Sequence, residues 1–347
     1  MSQSLLQTEI LQQPTALQTL IERERRHIAA IGELIRLRSP RFVMLVARGS
    51  SDNAARYGQY LFSTINHLPT ALAIPSAYTI YRQAPRLEDA LVIAISQSGQ
   101  SPDIVAVVEE SRRQGVETIA ITNDPESPLA NAAEHMINLN VGKEFAVAAT
   151  KTYSASLVAL ALLSASLAGD DERLAAIDHM PQWVAEVTQH CDVTLRQAER
   201  YCYIQYCVVA SRGYNYATAY EIALKLKELT YVIAEPYSSA DFQHGPVALV
   251  DHGFPVVAIV PNGPLAGELT AFFRDLAKRG AELIMISADP EALALGHTAL
   301  PLPSGVPEWL SPAVAIVQGQ MFALGLAIAK RFDPDRPRHI GKVTLTL

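Results

Sequence analysis

The sequence is poor in the features that mark secreted, membrane-spanning and nucleic-acid-binding proteins. Cysteine is scarce: Cys191, Cys202 and Cys207 are the only three in 347 residues. They form no Cys-x-x-Cys, so neither a disulfide framework nor a zinc site is expected, and no other metal or cofactor is called for. They read as buried thiols in a reducing compartment. Charge is also sparse, at 18% of residues, and 28 Lys and Arg against 35 Asp and Glu leave a net charge of −7. That balance carries no general attraction for nucleic acid or an anionic membrane. The N-terminus lacks the basic start and continuous apolar core of a signal peptide, with Gln12, Gln13 and Pro14 interrupting any such run, so a cytoplasmic location is expected. Long apolar stretches are few. Residues 155–168 are too few to cross a bilayer, and residues 313–329 are interrupted by Gln318 and Gln320. Both are expected as buried helices, the second at a subunit interface.

What the sequence does have is 49% hydrophobic residues in a length suited to two domains. An Arg- and Glu-rich amphipathic helix is expected over residues 16–37. Short runs rich in Val and Ile then alternate with helical patterns. Phe42–Ala47, Ala90–Ile95 and residues 116–122 read as strands buried on both faces of a parallel sheet, with helices over residues 53–62 and 103–113 making βαβ units. A doubly wound α/β sheet follows.

The pattern recurs. Arg48-Gly49 after the first strand is matched by Arg212-Gly213 after Tyr206–Ser211, an offset of 164 (212 − 48). Gly99 is matched by Gly263 at the same offset (263 − 99), and Asp124-Pro125 by Asp289-Pro290 at 165 (289 − 124). Landmarks that keep strand and turn in phase indicate an internal duplication. The expected architecture is two three-layer α/β/α domains: a helical segment over residues 1–40, a first domain over 41–169, a helical linker over 170–200, a second domain over 201–331, and a tail from 332 to 347.

The first strand-end motif with chemistry is Ser96-Gln97-Ser98-Gly99-Gln100-Ser101-Pro102. Gly99 permits a tight turn, Ser101 suits the N-cap and Pro102 the first helical position, so hydroxyls and amide N–H groups converge on a helix start. This is an anion site at the carboxyl end of a parallel strand. The loop lacks the Lys of a nucleotide-binding P-loop, which favours a small phosphomonoester, and lacks the Gly-x-Ser-x-Gly of a hydrolase elbow. Gly49-Ser50-Ser51 and the turn at residues 147–151 are the other small-residue turns expected along the same sheet edge. The counterpart in the second half, Val260-Pro261-Asn262-Gly263, has lost the hydroxyls, so one phosphate site per chain is expected.

The second motif is Glu221, Lys225 and Glu228, at i, i+4 and i+7 on one helical face among Ala219, Ile222, Ala223, Leu226 and Leu229. In isolation such a triplet is an exposed ion pair, but apolar neighbours on the same helix argue for burial, where carboxylates beside a cation are suited to moving protons. His244 follows on a Gly-Pro turn, and Lys342 lies on the terminal tail.

Taken together, the serine loop, the duplication, Glu221 to Glu228, His244-Gly245-Pro246 and the closing Lys-Val-Thr resemble the sugar isomerase (SIS) family from about Arg41 to the C-terminus. Within it the chain is similar to the isomerase portion of glucosamine-6-phosphate synthases, and more closely to the two-domain glucosamine-6-phosphate deaminases of the second type. The resemblance implies phosphate and sugar contacts from Ser50, Ser51, Ser96, Gln97, Ser98 and Ser101, with backbone contacts from Val147 and Ala149. It implies that Glu228 shuttles a proton between C1 and C2, that Lys225 tunes it, and that His244 opens the sugar ring. Lys342 would meet the carbonyl carbon as a Schiff-base amine or a polar clamp. It also implies a homodimer in which His244 crosses to the neighbouring subunit. Two positions depart from the synthases: residue 2 is Ser where they carry a nucleophilic Cys, and Arg48 stands where they carry Cys. The expected activity is therefore isomerising deamination of an amino-sugar phosphate without glutamine. A deglycase, an aminotransferase-like or plain aldose–ketose isomerase, and a non-catalytic phosphosugar sensor remain open alternatives.

Overall fold

The computed structural model describes residues 3–342. They divide into two compact units, each built on one five-stranded sheet.

One unit comprises Pro14–Glu144, Lys151–Pro181 and the tail residues Gly341 and Lys342. Its strands are β1 (Phe42–Ala47), β2 (Thr70–Leu72), β3 (Ala90–Ile95), β4 (Glu117–Thr122) and β5 (His135–Asn138), in the order β2-β1-β3-β4-β5 and all parallel. The central strands are buried along almost their whole length, which is why they read as unbroken apolar runs instead of alternating ones. Met44, Val46, Val92 and Ala94 meet Ile104, Val107 and Val108 of the helix Pro102–Arg113 in one core.

The other unit comprises the residues up to Gln13, Phe145–Thr150 and Gln182–Ile340. Its strands are β6 (Tyr206–Ser211), β7 (Ile233–Ser238), β8 (Pro255–Val260), β9 (Glu282–Ser287) and β10 (Thr298–Pro301), in the order β7-β6-β8-β9-β10 and again parallel. Position by position this is the order of the first sheet, as a duplication requires. In both sheets the order reverses beside the first strand, so the turns after β1 and β3, and after β6 and β8, sit where open α/β sheets bind ligands.

Several elements run past their expected ends. The opening helix spans Gln13–Arg38, preceded by a short helix Leu5–Leu11, and the serine-loop helices start at Ser50 and Pro102. The two long apolar helices, Lys151–Ala168 and Ser311–Ala329, are buried almost throughout. The second is covered by the chain's own helices Asn215–Thr230 and Cys191–Ala198, so it is an internal core helix and not the subunit interface expected from its composition. Cys191 and Cys207 are buried, but Cys202 is exposed, because it closes the short 3-10 turn Glu199–Tyr201 at the surface.

Candidate functional site

The serine loop is built as its residues dictate. Gly99 adopts φ +61°, and a Cβ there would collide with Ser127 Oγ, so only glycine fits the turn. Its N–H donates to Ser96 Oγ (3.1 Å), and the N–H of Gln100 donates to Ser98 Oγ (3.3 Å), so two hydroxyl oxygens pin the turn from within. The loop is fixed to the sheet by Ser96 N–H to Ile121 C=O and Asn123 N–H to Gln97 C=O, both at 3.1 Å. Ser101 occupies the N-cap position with extended backbone, yet its side chain makes no capping hydrogen bond, and Pro102 stands at the first turn. Helix starts leave N–H groups unused by the helix, and here a hydroxyl stands beside them.

Ser50 and Ser51 open the helix Ser50–Thr64 after Gly49, which takes φ +57°. Ala47 pairs with Ile95 in register, so Arg48 and Ser96 leave adjacent strand ends side by side. Arg48 Nε and Nη2 both reach Asp103 Oδ2 at 2.8 Å, while Asp103 Oδ1 accepts the N–H of Ile104 at 3.0 Å.

A cleft of about 790 Å³ is lined by Gln97, Ser98, Gln100, Lys143, Glu144 and Lys342, so three loop residues and the tail lysine share one cavity within one unit. Lys342 Nζ donates to Glu144 Oε2 at 2.6 Å. Glu144 is buried, accepts the N–H of Thr152 (3.1 Å) and its hydroxyl (2.7 Å), and so anchors the start of the helix Lys151–Ala168 as well as the tail. Burial pushes its carboxyl pKa up, but the Lys342 ammonium and the Thr152 hydrogen bonds outweigh that and hold it below the ordinary value.

The proton-transfer motif folds as one cluster on the helix Asn215–Thr230. Lys225 Nζ lies 2.6 Å from Glu228 Oε2 and 3.3 Å from Glu221 Oε1. Glu221 and Lys225 are fully buried, whereas the Glu228 side chain keeps 22% of its surface. Burial works against the Lys225 charge, but two carboxylates more than compensate and hold its pKa above the ordinary lysine range. The result is a permanent cation with one carboxylate locked behind it and one presented at the surface.

His244 is exposed on the turn after the short helix Ser239–Gln243, and among the described residues its imidazole has no hydrogen-bonding or ionic partner. Val147 and Ala149 lie half-buried in an irregular segment that groups with the second unit, not with the serine loop's. That segment is held by Glu9, whose buried carboxylate accepts the N–H groups of Phe145 (2.6 Å) and Ala146 (3.2 Å). Sequence reading missed Glu9, Asp103 and Glu144. Asp103 alone left a trace: Arg212 pairs with Glu268 at 2.6 Å, an acid 165 residues on (268 − 103), so the duplication repeats the pair.

The comparisons with known proteins follow the same outline. The SIS domain family model matches residues 36–166 and again 207–330. A glutamine–fructose-6-phosphate aminotransferase (isomerizing) from Thermus thermophilus is 32% identical over 96% of this chain and 57% of its own length. The chain thus spans little more than half of the curated relatives it matches. A candidate phosphosugar isomerase from Silicibacter pomeroyi superposes with a TM-score of 0.87 at 34% identity, covering 96% of this chain and all of that one. The C-terminal domain of a glucosamine-fructose-6-phosphate aminotransferase from Francisella tularensis gives 0.86 at 26% identity, covering 97% of this chain and 99% of that one.

Proposed function

The chain belongs to the SIS domain family through both halves, and from that premise we propose that it is a phosphosugar isomerase that deaminates an amino-sugar phosphate, taking glucosamine 6-phosphate and water to fructose 6-phosphate and ammonia. The observation that carries this reading is the Glu221–Lys225–Glu228 cluster, in which a buried cation holds a surface-facing carboxylate at 2.6 Å. A solvated ion pair needs no such burial. A carboxylate set beside C1 and C2 takes the C2 proton of the open-chain aldose and returns it to C1. The ketose imine that results is hydrolysed: water adds at C2, and ammonia leaves. One base serves both carbons because they are neighbours on one face of the substrate.

The other residues have supporting parts in the proposal. Ser96, Gln97, Ser98 and Ser101, with Ser50 and Ser51, hold the phosphate remote from the chemistry and supply positioning energy. Val147 and Ala149 add backbone contacts to the sugar. Lys342, whose ammonium is committed to Glu144 in this structure, acts as a polar clamp for the carbonyl oxygen. His244 opens the ring from a second copy of the chain, consistent with its exposure and its lack of a partner among the described residues.

The test is ammonia release from glucosamine 6-phosphate, coupled to a dehydrogenase that consumes ammonia. Wild type is expected to release it, and Glu228→Gln to lose on the order of 10³-fold in kcat, the scale of a general base. Release undiminished in the variant, or none from wild type, overturns the reading. Ammonia from a glycated amino-acid phosphate, with none from glucosamine 6-phosphate, would move the assignment to a deglycase.

A further inference from the structure

We infer that Arg48 is a phosphate-binding residue, presented to the serine loop by the buried carboxylate of Asp103. The inference rests on the reading above that this loop takes a phosphomonoester, and goes beyond it by adding a charged ligand from a different strand end. Arg48 follows β1 as Ser96 follows β3, and these strands are paired in register, so the backbone at Arg48 and the loop emerge side by side at the switch point. Asp103 is the second residue of the helix that the loop opens.

The geometry separates a ligand from a plain structural pair. Asp103 is fully buried while the Arg48 side chain keeps 50% of its surface. Nε and Nη2 share a single oxygen, Oδ2, because Oδ1 is taken by Ile104 N–H. Asp103 thus engages the Nε/Nη2 edge of a half-exposed side chain and leaves the Nη1 donors uncommitted to it. A guanidinium fixed on one side offers a phosphate preorganised donors, and little side-chain freedom remains to be lost on binding.

The duplicated half supplies an internal control. Arg212 also pairs with an acid of the helix after the neighbouring strand, Ala266–Lys278 after β8, but that acid, Glu268, is 42% exposed, and the loop opening that helix has lost its hydroxyls. The pair therefore survives in both halves, while its burial accompanies the hydroxyl-bearing loop in one.

Inorganic phosphate is the probe, with affinity read by calorimetry on the full chain and fold integrity by urea midpoint. Arg48→Gln is expected to weaken phosphate by about tenfold to a hundredfold, the scale of a charged hydrogen-bonding partner, with Arg48→Lys in between. Arg212→Gln is expected to change nothing. Unchanged phosphate affinity in Arg48→Gln, with or without a lower urea midpoint, reduces Arg48 to a partner for Asp103 and overturns the inference while leaving the loop reading intact. If wild type itself binds neither phosphate nor glucosamine 6-phosphate, the loop reading fails and takes this one with it. Should Arg48→Gln not fold, Arg48→Lys decides: wild-type affinity there, with the paired edge rebuilt from a point charge, counts against a guanidinium ligand.

Discussion

The two sheets carry the same turns at the same places and use them oppositely. After β1 and β3 the turns of Gly49 and Gly99 stand beside Ser50, Ser51, Ser96 and Ser98. After β6 and β8 the equivalent turns of Gly213 and Gly263 have no hydroxyl loop, and a glutamate leans into them. A Cβ on Gly263 would lie 2.6 Å from Glu308 Oε2, and one on Gly213 would lie 3.2 Å from Glu308 Oε1. The carboxylate rests against both turns at once. Burial pushes its pKa above the ordinary value, and among the described residues no cation offsets it. The second sheet thus fills its switch point with an anion of its own, and concentrates its buried charge in the Glu221–Lys225–Glu228 cluster.

The largest test of this contrast is Lys225→Met. It leaves the buried Glu221 carboxylate facing an apolar side chain, and the unfolding free energy read from urea titration is expected to fall by about 3–5 kcal/mol, as when one partner of a buried pair is removed. A loss below about 1 kcal/mol would mean the cluster is solvated like an exposed pair. Next, Ser98→Ala is expected to raise KM for the sugar phosphate roughly tenfold with little change in kcat, since it removes binding remote from the reacting carbons. Asn262→Ala, its counterpart, is expected to leave KM unchanged, and an effect there would break the asymmetry.

Two carboxylates then differ in the sign of their pH dependence. Glu144 has a lowered pKa in the folded state, so its stabilisation is present above the unfolded value of 4.5 and is lost as pH falls through the folded one. Glu144→Gln is expected to cost about 1–3 kcal/mol at neutral pH, with the gap to wild type closing in acid. Glu308 has a raised pKa, so its favourable contribution exists at low pH and disappears as pH rises through the folded value. Glu308→Gln is therefore expected to stabilise the fold slightly at neutral pH, by under about 1 kcal/mol for a group only half buried, with a small rise in Tm, and to gain nothing in acid. Thermal melts from pH 3 to pH 8 read both, and parallel curves for the two variants would refute the distinction.

Much of this was legible along the chain. Buried parallel strands have to be continuous apolar runs, so β1, β3 and β6 stood out at their true ends, and Gly99 announced a turn that only glycine can make. Two kinds of reading fell short. Cys202 reads as a buried thiol because cysteine usually is one, but a surface turn decides its exposure. Residues 313–329 read as an apolar helix at a subunit interface, but a helix that is apolar almost all round is equally one enclosed by its own unit, as Ser311–Ala329 is.

By itself the sequence determined the α/β class, the hydroxyl-bearing turn and the face shared by Glu221, Lys225 and Glu228, because each is a matter of local periodicity or of residues a few positions apart, and the duplication, because its landmarks repeat at a fixed offset. Only the tertiary structure decided which charges are buried and which partners they take: Arg48 with Asp103 across 55 residues, Lys342 with Glu144 across 198, and Glu308 against turns at 213 and 263. Burying a polar side chain without a partner is costly, so most such groups find one, but nothing in the order of the residues says which distant group will meet it.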